Sequence, residues 1–482
     1  MEISNEDFKK LIYQATDMIT DWYDKKLRGS KIYNNKSPAE IRETFKIKSK
    51  NKGTKAHDVI KKLEKNLIDS SNFNPSPNYY GYITGGGNQI GIIAEYIKAA
   101  LNQNNLKWHS APANSEIEKI VIEWISEFIG YNNKCGGVLV SGGSVANLMN
   151  IAVMRKVKGG KKIKEKGIYK EKVMRVYVSE EGHSSIDKAM DILGLGSENL
   201  VKVKRDKNFK IQINELEKEI NHDIKSGLQP IGVIGIAGTT NTGSVDPMDE
   251  IERVCKKFNL WFMVDAAYGG PAAGLKEYKS LFKGMEKADS ILLNPHKWMF
   301  VPFEVACVLV KNQQQLKNTF SLIPEYLMGG ADIDEREDLM NYSIQLSKDF
   351  KALKVWMTIE VYGHSAISKA IRNDIEMALY AYEKIKNNDL FKALHKPELS
   401  IFCFKYISKL KNISDDVLNK KIIEEIEKDG RVFLSGTVID KENVLRINCI
   451  NHRRNKKDID FLIRVLEEIG SKVEDKLGNL SV

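Results

Sequence analysis

Six short apolar runs punctuate the middle of this 482-residue chain, and they set the limits on what it can fold into. They are GVLV (137–140), VMRVYV (173–178), IGVIGIAG (231–238), LWFMVDAA (260–267), SILLNP (290–295) and VACVLV (305–310). The first three are followed by helix-like stretches at Val145–Val157, Ser185–Leu193 and Pro247–Phe258. Runs without in-and-out alternation suit strands buried on both faces, and their alternation with helices gives βα units and a mainly parallel sheet. The first 75 or so residues read as helices and a lysine-rich connection, ending at Asn74-Pro75-Ser76-Pro77, where the prolines force extended backbone. From Leu346 the pattern is helical, and the last hundred residues mix strands (SIFCFKY, RVFLSG, NVLRINCI) with helices at 415–428 and 457–468. This predicts a helical segment over residues 1–78, a large α/β domain over 79–365 and a smaller α+β domain over 366–482.

Composition narrows the function classes. Apolar residues make up 42% and charged residues 29%, which argues against disorder and fibrous architecture. The net charge of +10 comes from lysines interleaved with 64 acidic residues, not from a basic patch with aromatics, so no nucleic-acid partner is expected. The densest basic run, Lys156–Lys172, reads as a solvated loop. Cys135, Cys255, Cys307, Cys403 and Cys449 are widely spaced and odd in number, which suits a reducing cytoplasm and gives no metal-binding pair. An acidic, amphipathic start and the lack of any apolar run of about 18 residues point away from a secretory signal and from a membrane.

In open α/β sheets ligands bind beyond the carboxyl ends of the strands, so polar residues that follow an apolar run are the first candidates. Ser141-Gly142-Gly143-Ser144 follows the first run and opens a helix, whose unpaired N–H groups favour a phosphate; a plain glycine turn reads the same way. Gly182-His183-Ser184-Ser185 puts an imidazole at a strand end, suited to stacking on a flat ring, to proton transfer or to capping. Asp265, in Val264-Asp265-Ala266-Ala267-Tyr268, needs a cationic partner if buried: a pyridinium N–H, a Lys or an Arg. Lys297, in Asn294-Pro295-His296-Lys297-Trp298, lies in a setting that lowers the amine pKa and favours Schiff-base chemistry. Each reading is weak alone. Together they supply a phosphate anchor, a ring stack, a pyridinium counter-ion and an amine, which outlines a site for pyridoxal 5'-phosphate.

These motifs, with SGGSVANL (141–148), GTTNTGSVDP (238–247) and ALKVW (352–356), make the chain resemble the fold type I pyridoxal-phosphate decarboxylases that act on aromatic amino acids, histidine and glutamate. The resemblance implies a large domain with a seven-stranded, mainly parallel sheet between helices, and a homodimer with N-terminal helices wrapped on the partner and the site at the subunit interface. It implies Lys297 in the internal aldimine, Asp265 on the pyridine nitrogen and His183 over the ring as the catalytic set. Gly143, Ser144 and Asn294 would hold the phosphate, with Thr240 and Ala267 near the ring and His296 beside the lysine. The implied reaction converts an L-amino acid, most simply an aromatic one, to its amine and CO2.

The sequence departs from that family at two places. The loop tyrosine thought to protonate Cα after CO2 is lost corresponds here to Leu339, which has no proton to give. Tyr342, His183 and water remain as donors, and relatives altered at this loop position are aldehyde synthases, so oxidative decarboxylation to an aldehyde is the alternative. Asn105 and Leu106 stand where aromatic-substrate members carry a small residue and an aromatic one, which changes the expected pocket floor. Tyr79, Tyr82 and Trp108, with Leu339, are the candidate substrate-pocket residues, although aromatic residues pack cores equally well.

Overall fold

The computed structural model describes residues 2–29, 31–46, 51–132, 134–160, 162–169, 171–322 and 336–480. The chain divides into two compact units, one of residues 83–376 with 397–401, the other of residues 1–82, 377–396 and 402–482.

The larger unit is built on a seven-stranded sheet with spatial order β1-β7-β6-β5-β4-β2-β3. Its strands are β1 (Gly136–Val140), β2 (Met174–Ser179), β3 (Leu200–Val203), β4 (Gln229–Ile236), β5 (Trp261–Asp265), β6 (Ser290–Leu293) and β7 (Ala306–Val310). Six are the apolar runs of the sequence. The seventh, β3, lies at a sheet edge with Val201 half-buried and Lys202 exposed, so it lacks the continuous apolar signal. Strands β3, β2, β4, β5 and β6 pair in parallel, while β7 runs antiparallel to both β6 and β1. An antiparallel strand between them leaves β1 and β6 pointing the same way, so their carboxyl ends share one edge of the sheet. Every residue of β5, β6 and β7 is buried, as expected of strands covered on both faces.

The helix Gly143–Lys158 crosses this sheet and buries Ala146, Met149, Ile151, Val153 and Met154, while Arg155, Lys156 and Lys158 in its last turn complement the helix dipole. A fully buried ion pair braces the neighbouring strand. Lys348 Nζ meets both carboxylate oxygens of Glu118, each side chain having no exposure. The Glu118 oxygens also accept from Leu139 N (2.9 Å) on β1 and from Asn105 Nδ2 (3.3 Å).

The second unit has a four-stranded sheet of order β10-β11-β9-β8, made of β8 (Phe391–Ala393), β9 (Ile401–Tyr406), β10 (Ser435–Ile439) and β11 (Glu442–Asn448). Helices Asp415–Asp429 and Lys456–Leu480 contribute Leu418, Ile422, Ile426, Leu462 and Leu466 to its core. The expected strand at RVFLSG begins later, at Ser435. Phe433 instead binds the N-terminal part of the chain: its N donates to Asn78 O (3.1 Å), its O accepts from Tyr80 N (2.6 Å), and its ring stacks on Tyr33 and Tyr79. These contacts also explain why residues 1–82 join the C-terminal residues in one unit, where the sequence predicted a separate segment ending near 78 and a boundary near 365.

Removing one member of the buried pair strands the other charge. Lys348→Met should therefore destabilise the fold by about 3–5 kcal/mol, with Glu118→Gln/Lys348→Met recovering part of that loss. Denaturant midpoints of the three proteins test this, and a wild-type midpoint for Lys348→Met would refute the bracing role.

Candidate active site

Five parallel strand ends converge on one cavity of about 210 Å³. The β1 end gives Gly143 and Ser144; β2 gives Glu181, His183 and Ser185; β4 gives Ile236, Gly238 and Thr240; β5 gives Asp265, Ala267 and Tyr268; β6 gives Asn294 and Lys297. Asn147, one turn into the helix from Gly143, completes the lining. The structure thus brings together Lys297, Asp265, His183, Gly143, Ser144, Thr240, Ala267 and Asn294.

Backbone bonds lock the β5 and β6 ends to each other. Ala266 N donates to Leu292 O (3.0 Å), Asn294 N to Ala267 O (3.2 Å) and Lys297 N to Asn294 O (2.9 Å). The turn that carries Lys297 is clamped further by its neighbour. Trp298 stacks on Tyr268 with centroids 5.0 Å apart, and its Nε1 donates to Asp374 Oδ2 (2.9 Å). Gly85, in the Thr84–Gly87 segment, lies so close to the carbonyls of His296 and Lys297 that any Cβ there would collide with the Lys297 oxygen.

Asp265 is buried, and both its oxygens accept N–H bonds: Oδ1 from Ala267 N (3.1 Å) and Oδ2 from Asn147 Nδ2 (3.0 Å). His183 caps the helix Ser184–Ile192, its Nδ1 accepting from Ser185 N (3.1 Å) with Ser185 Oγ 2.8 Å away. Burial depresses the His183 pKa, against Asp265, which raises it, and alongside Lys297, which lowers it. Burial raises the Glu181 pKa; Arg205 (3.1 Å) and Asn241 (3.2 Å) bind this carboxylate.

Other expected site residues lie elsewhere. His296 does not line the cavity: it is buried, with Nδ1 3.1 Å from Val305 N and 2.6 Å from Val305 O. Leu339 is 2% exposed and belongs to the apolar cluster that includes Val138, Leu316 and Tyr342, so it is a core residue and not a pocket wall. Tyr342 packs in the same cluster, its hydroxyl donating to Glu337 Oε1 (3.1 Å). Residues 323–335 of the expected loop lie outside the described residues. Trp108 bonds to Asp338 through its backbone N (2.9 Å) and to Glu116 through Nε1 (2.7 Å), with the Arg336 guanidinium 4.7 Å from its ring centre. Asn105, expected at the pocket floor, is buried between Glu118 and Ser115. Tyr79 and Tyr82 belong to the other unit, where Tyr79 is buried against Phe433 and Tyr82 is exposed. Sequence reasoning missed Asn147, Ser185, Glu181, Gly238 and Tyr268. Helical spacing carries the signal for one of them, since Asn147 follows Gly143 and Ser144 by four and three residues and so shares their face.

The lining fits a phosphorylated pyridine. A Cβ at Gly143 would stand 2.9 Å from Asn294 Nδ2, so only glycine keeps this cradle open at the helix start. The buried oxygens Asn294 Oδ1 and Asn147 Oδ1 have no hydrogen-bond partner among the described residues, and the Asp265 carboxylate suits a ring N⁺–H.

A seven-stranded sheet with a lysine, an aspartate and a histidine gathered at its strand ends defines a pyridoxal-phosphate site of fold type I. The sequence agrees over most of its length: residues 38–407 match the pyridoxal-dependent decarboxylase conserved domain, and the chain belongs to that family of amino-acid decarboxylases, with pyridoxal phosphate as cofactor. It is 28% identical to aromatic-L-amino-acid decarboxylase from Bacillus atrophaeus, over 98% of this chain and 97% of that protein. It is 27% identical to 4-hydroxyphenylacetaldehyde synthase from Rhodiola rosea, over 98% and 96% respectively. The solved structure of Oryza sativa TDC with PLP and tryptamine has the same fold, with a TM-score of 0.93 at 22% identity, covering 98% of this chain and 99% of that one.

Burial lowers the His296 pKa from 6.5 to about 4, so the folded protein holds this ring neutral where the unfolded chain would protonate it. Its contribution to stability is complete above pH 6.5 and is lost as the pH falls towards 4, by about 3 kcal/mol at the acid end. His296→Gln should flatten the stability–pH curve across this window; a curve parallel to that of the wild type would contradict it.

Proposed function

We propose that the protein decarboxylates an aromatic L-amino acid to its amine, with Lys297 as the residue that carries the cofactor. The observation behind this reading is that Lys297, Asp265, His183 and the Gly143 helix start line one cavity. Gly143, Ser144 and Asn294 bind the phosphate, Asp265 pairs with the ring nitrogen and keeps it protonated, and His183 covers the ring, with Thr240 and Ala267 at its edge. Bound pyridoxal phosphate supplies an electron sink for the pair left at Cα when CO2 departs. The protein orients the substrate carboxylate across the ring plane and returns a proton to Cα. Similarity to the Bacillus atrophaeus enzyme supports an aromatic substrate. The alternative product is an aldehyde, because the Rhodiola rosea relative is an aldehyde synthase.

The assembly proposed is a homodimer with its sites at the subunit interface, acting in the cytoplasm on a small-molecule substrate, with neither nucleic acid nor membrane as partner. Helix Gln89–Leu101 leaves Ile93, Tyr96, Ile97 and Leu101 exposed. The helices Asn5–Lys26 and Ala56–Ile68 bury no residue and expose Phe8, Tyr13, Val59, Leu63 and Leu67. Apolar surface of this extent calls for a cover, and a second copy of the chain supplies it. No helix among the described residues is long and apolar enough to cross a membrane, and none of the five cysteines forms a disulfide among the described residues.

Purified protein supplied with pyridoxal phosphate should show a visible absorption band, and borohydride should fix the cofactor to Lys297 by mass spectrometry. Lys297→Ala should lower turnover on the order of 10³-fold or more. A colourless protein, or label on another lysine, would overturn the assignment. Tyrosine, tryptophan, phenylalanine and histidine should be assayed for amine, aldehyde, CO2 and oxygen uptake. Amine without oxygen uptake supports decarboxylation, whereas aldehyde with ammonia and peroxide replaces it with the oxidative reaction. Light scattering on the eluted protein should give about twice the 54.7 kDa chain mass; a monomer would remove the dimer.

A further inference from the structure

Four side chains in the cavity wall form one hydrogen-bonded chain whose direction is fixed at one end. Asp265 Oδ2 accepts from Asn147 Nδ2 at 3.0 Å, and the same amide nitrogen donates to Ser185 Oγ at 2.9 Å. Ser185 Oγ lies 2.8 Å from His183 Nδ1. A carboxylate only accepts, so it dictates which end of the Asn147 amide faces it; the flipped amide would set oxygen against oxygen. Both amide hydrogens are then spent, one on Asp265 and one on Ser185, and Asn147 Oδ1 is left buried with no partner among the described residues. Ser185 Oγ receives a hydrogen from Asn147 and directs its own at His183 Nδ1. The backbone N–H of Ser185 meets the same nitrogen at 3.1 Å, so Nδ1 is an acceptor twice over and the ring proton sits on Nε2.

The geometry points to Asn147 and Ser185 as positioning residues that hold His183 as the neutral Nε2–H tautomer, so that His183 offers the cavity a hydrogen-bond donor and not a base. No other described residue bonds to Nε2, which leaves that N–H for a ligand. An amino acid brings an α-carboxylate, an acceptor matched to such a donor. That consequence rests on the cofactor and substrate reading above; the relay itself is a property of the chain. The charged groups facing His183 are Asp265 from β5, Lys297 from the turn after β6, and Asp187 and Lys188 from its own helix. The carboxylates favour the protonated ring and the lysines oppose it, so the hydrogen bonds into Nδ1 add to burial in holding it neutral.

The test is nitrogen NMR of the holoenzyme labelled with ¹⁵N-histidine, with His183→Gln used to assign the signal. Wild type should show Nε2 protonated and Nδ1 bare near neutral pH. Ser185→Ala and Asn147→Leu should each raise the proton affinity of His183 about three- to tenfold, and the acid limb of the kcat profile should shift in the same direction. Ser185→Thr, which keeps the hydroxyl, should restore the wild-type titration. A wild-type signal with Nδ1 protonated refutes the relay, as does a His183 titration unmoved in both variants. Should Asn147→Leu fail to fold, the Ser185→Ala and Ser185→Thr pair decides alone. The visible cofactor band, recorded on every sample, separates this outcome from failure of the cofactor assignment, because its absence in wild type would sink the latter alone.

Discussion

A sheet covered on both faces has nowhere to put polar chemistry except at the ends of its strands, and this constraint organises the larger unit. Strands β5, β6 and β7 are buried throughout, so a charge placed within them would lose its hydration without compensation. Asp265 escapes that penalty as the last residue of β5, where the chain turns and the amides of Ala267 and Asn147 reach its oxygens. Lys297 likewise follows β6 by one turn. Because β7 runs antiparallel between β1 and β6, the glycine turn after β1 reaches the same edge as the residues that follow β6.

This constraint also explains what could be read from the sequence. Asp265, Lys297, His183 and the Gly143–Ser144 turn were legible because each follows an apolar run directly, and a strand end limits where a residue can go. The six apolar runs correspond to six of the seven strands for the same reason, while the edge strand β3 was lost because solvent on one side permits Lys202. Substrate-pocket residues were not legible. An aromatic or aliphatic side chain satisfies a core and a pocket wall equally, and only packing tells them apart: Leu339 sits among Val138 and Leu316, and Tyr79 lies against Phe433. Asn105 shows the same ambiguity for a polar group, since its partner Glu118 is also the counter-ion of Lys348, a contact that joins residues 230 positions apart.

The residues missed share a different character. Asn147 and Ser185 are ordinary helix and cap residues in sequence, and their importance comes from spanning two elements that the sheet brings side by side. A buried polar group must be satisfied, and the cheapest way to satisfy several is in series, each donating to the next. Such a series inherits its direction from its most rigid member. Here that member is the Asp265 carboxylate, which can only accept.

Burial lowers the pKa of two imidazoles, that of His296 beside Lys297 in the sequence and that of His183 in the cavity wall, and so disfavours charge on both. The reasons for their orientation differ. His296 is tied to the backbone of Val305 within the core, so its contribution is to the shape of the turn that carries the lysine. His183 is tied through Ser185 and Asn147 to Asp265, which lines the cavity together with Lys297. Were His183 cationic, Asp265 would meet a positive charge in the same cavity wall, and the carboxylate would be matched to it instead of to a ligand. A neutral His183 leaves the Asp265 carboxylate uncommitted to an imidazolium, as its proposed pairing with a cationic ring nitrogen requires, beside Lys297 as the proposed amine. The proposed pairing therefore depends on a histidine kept neutral by the residues behind it.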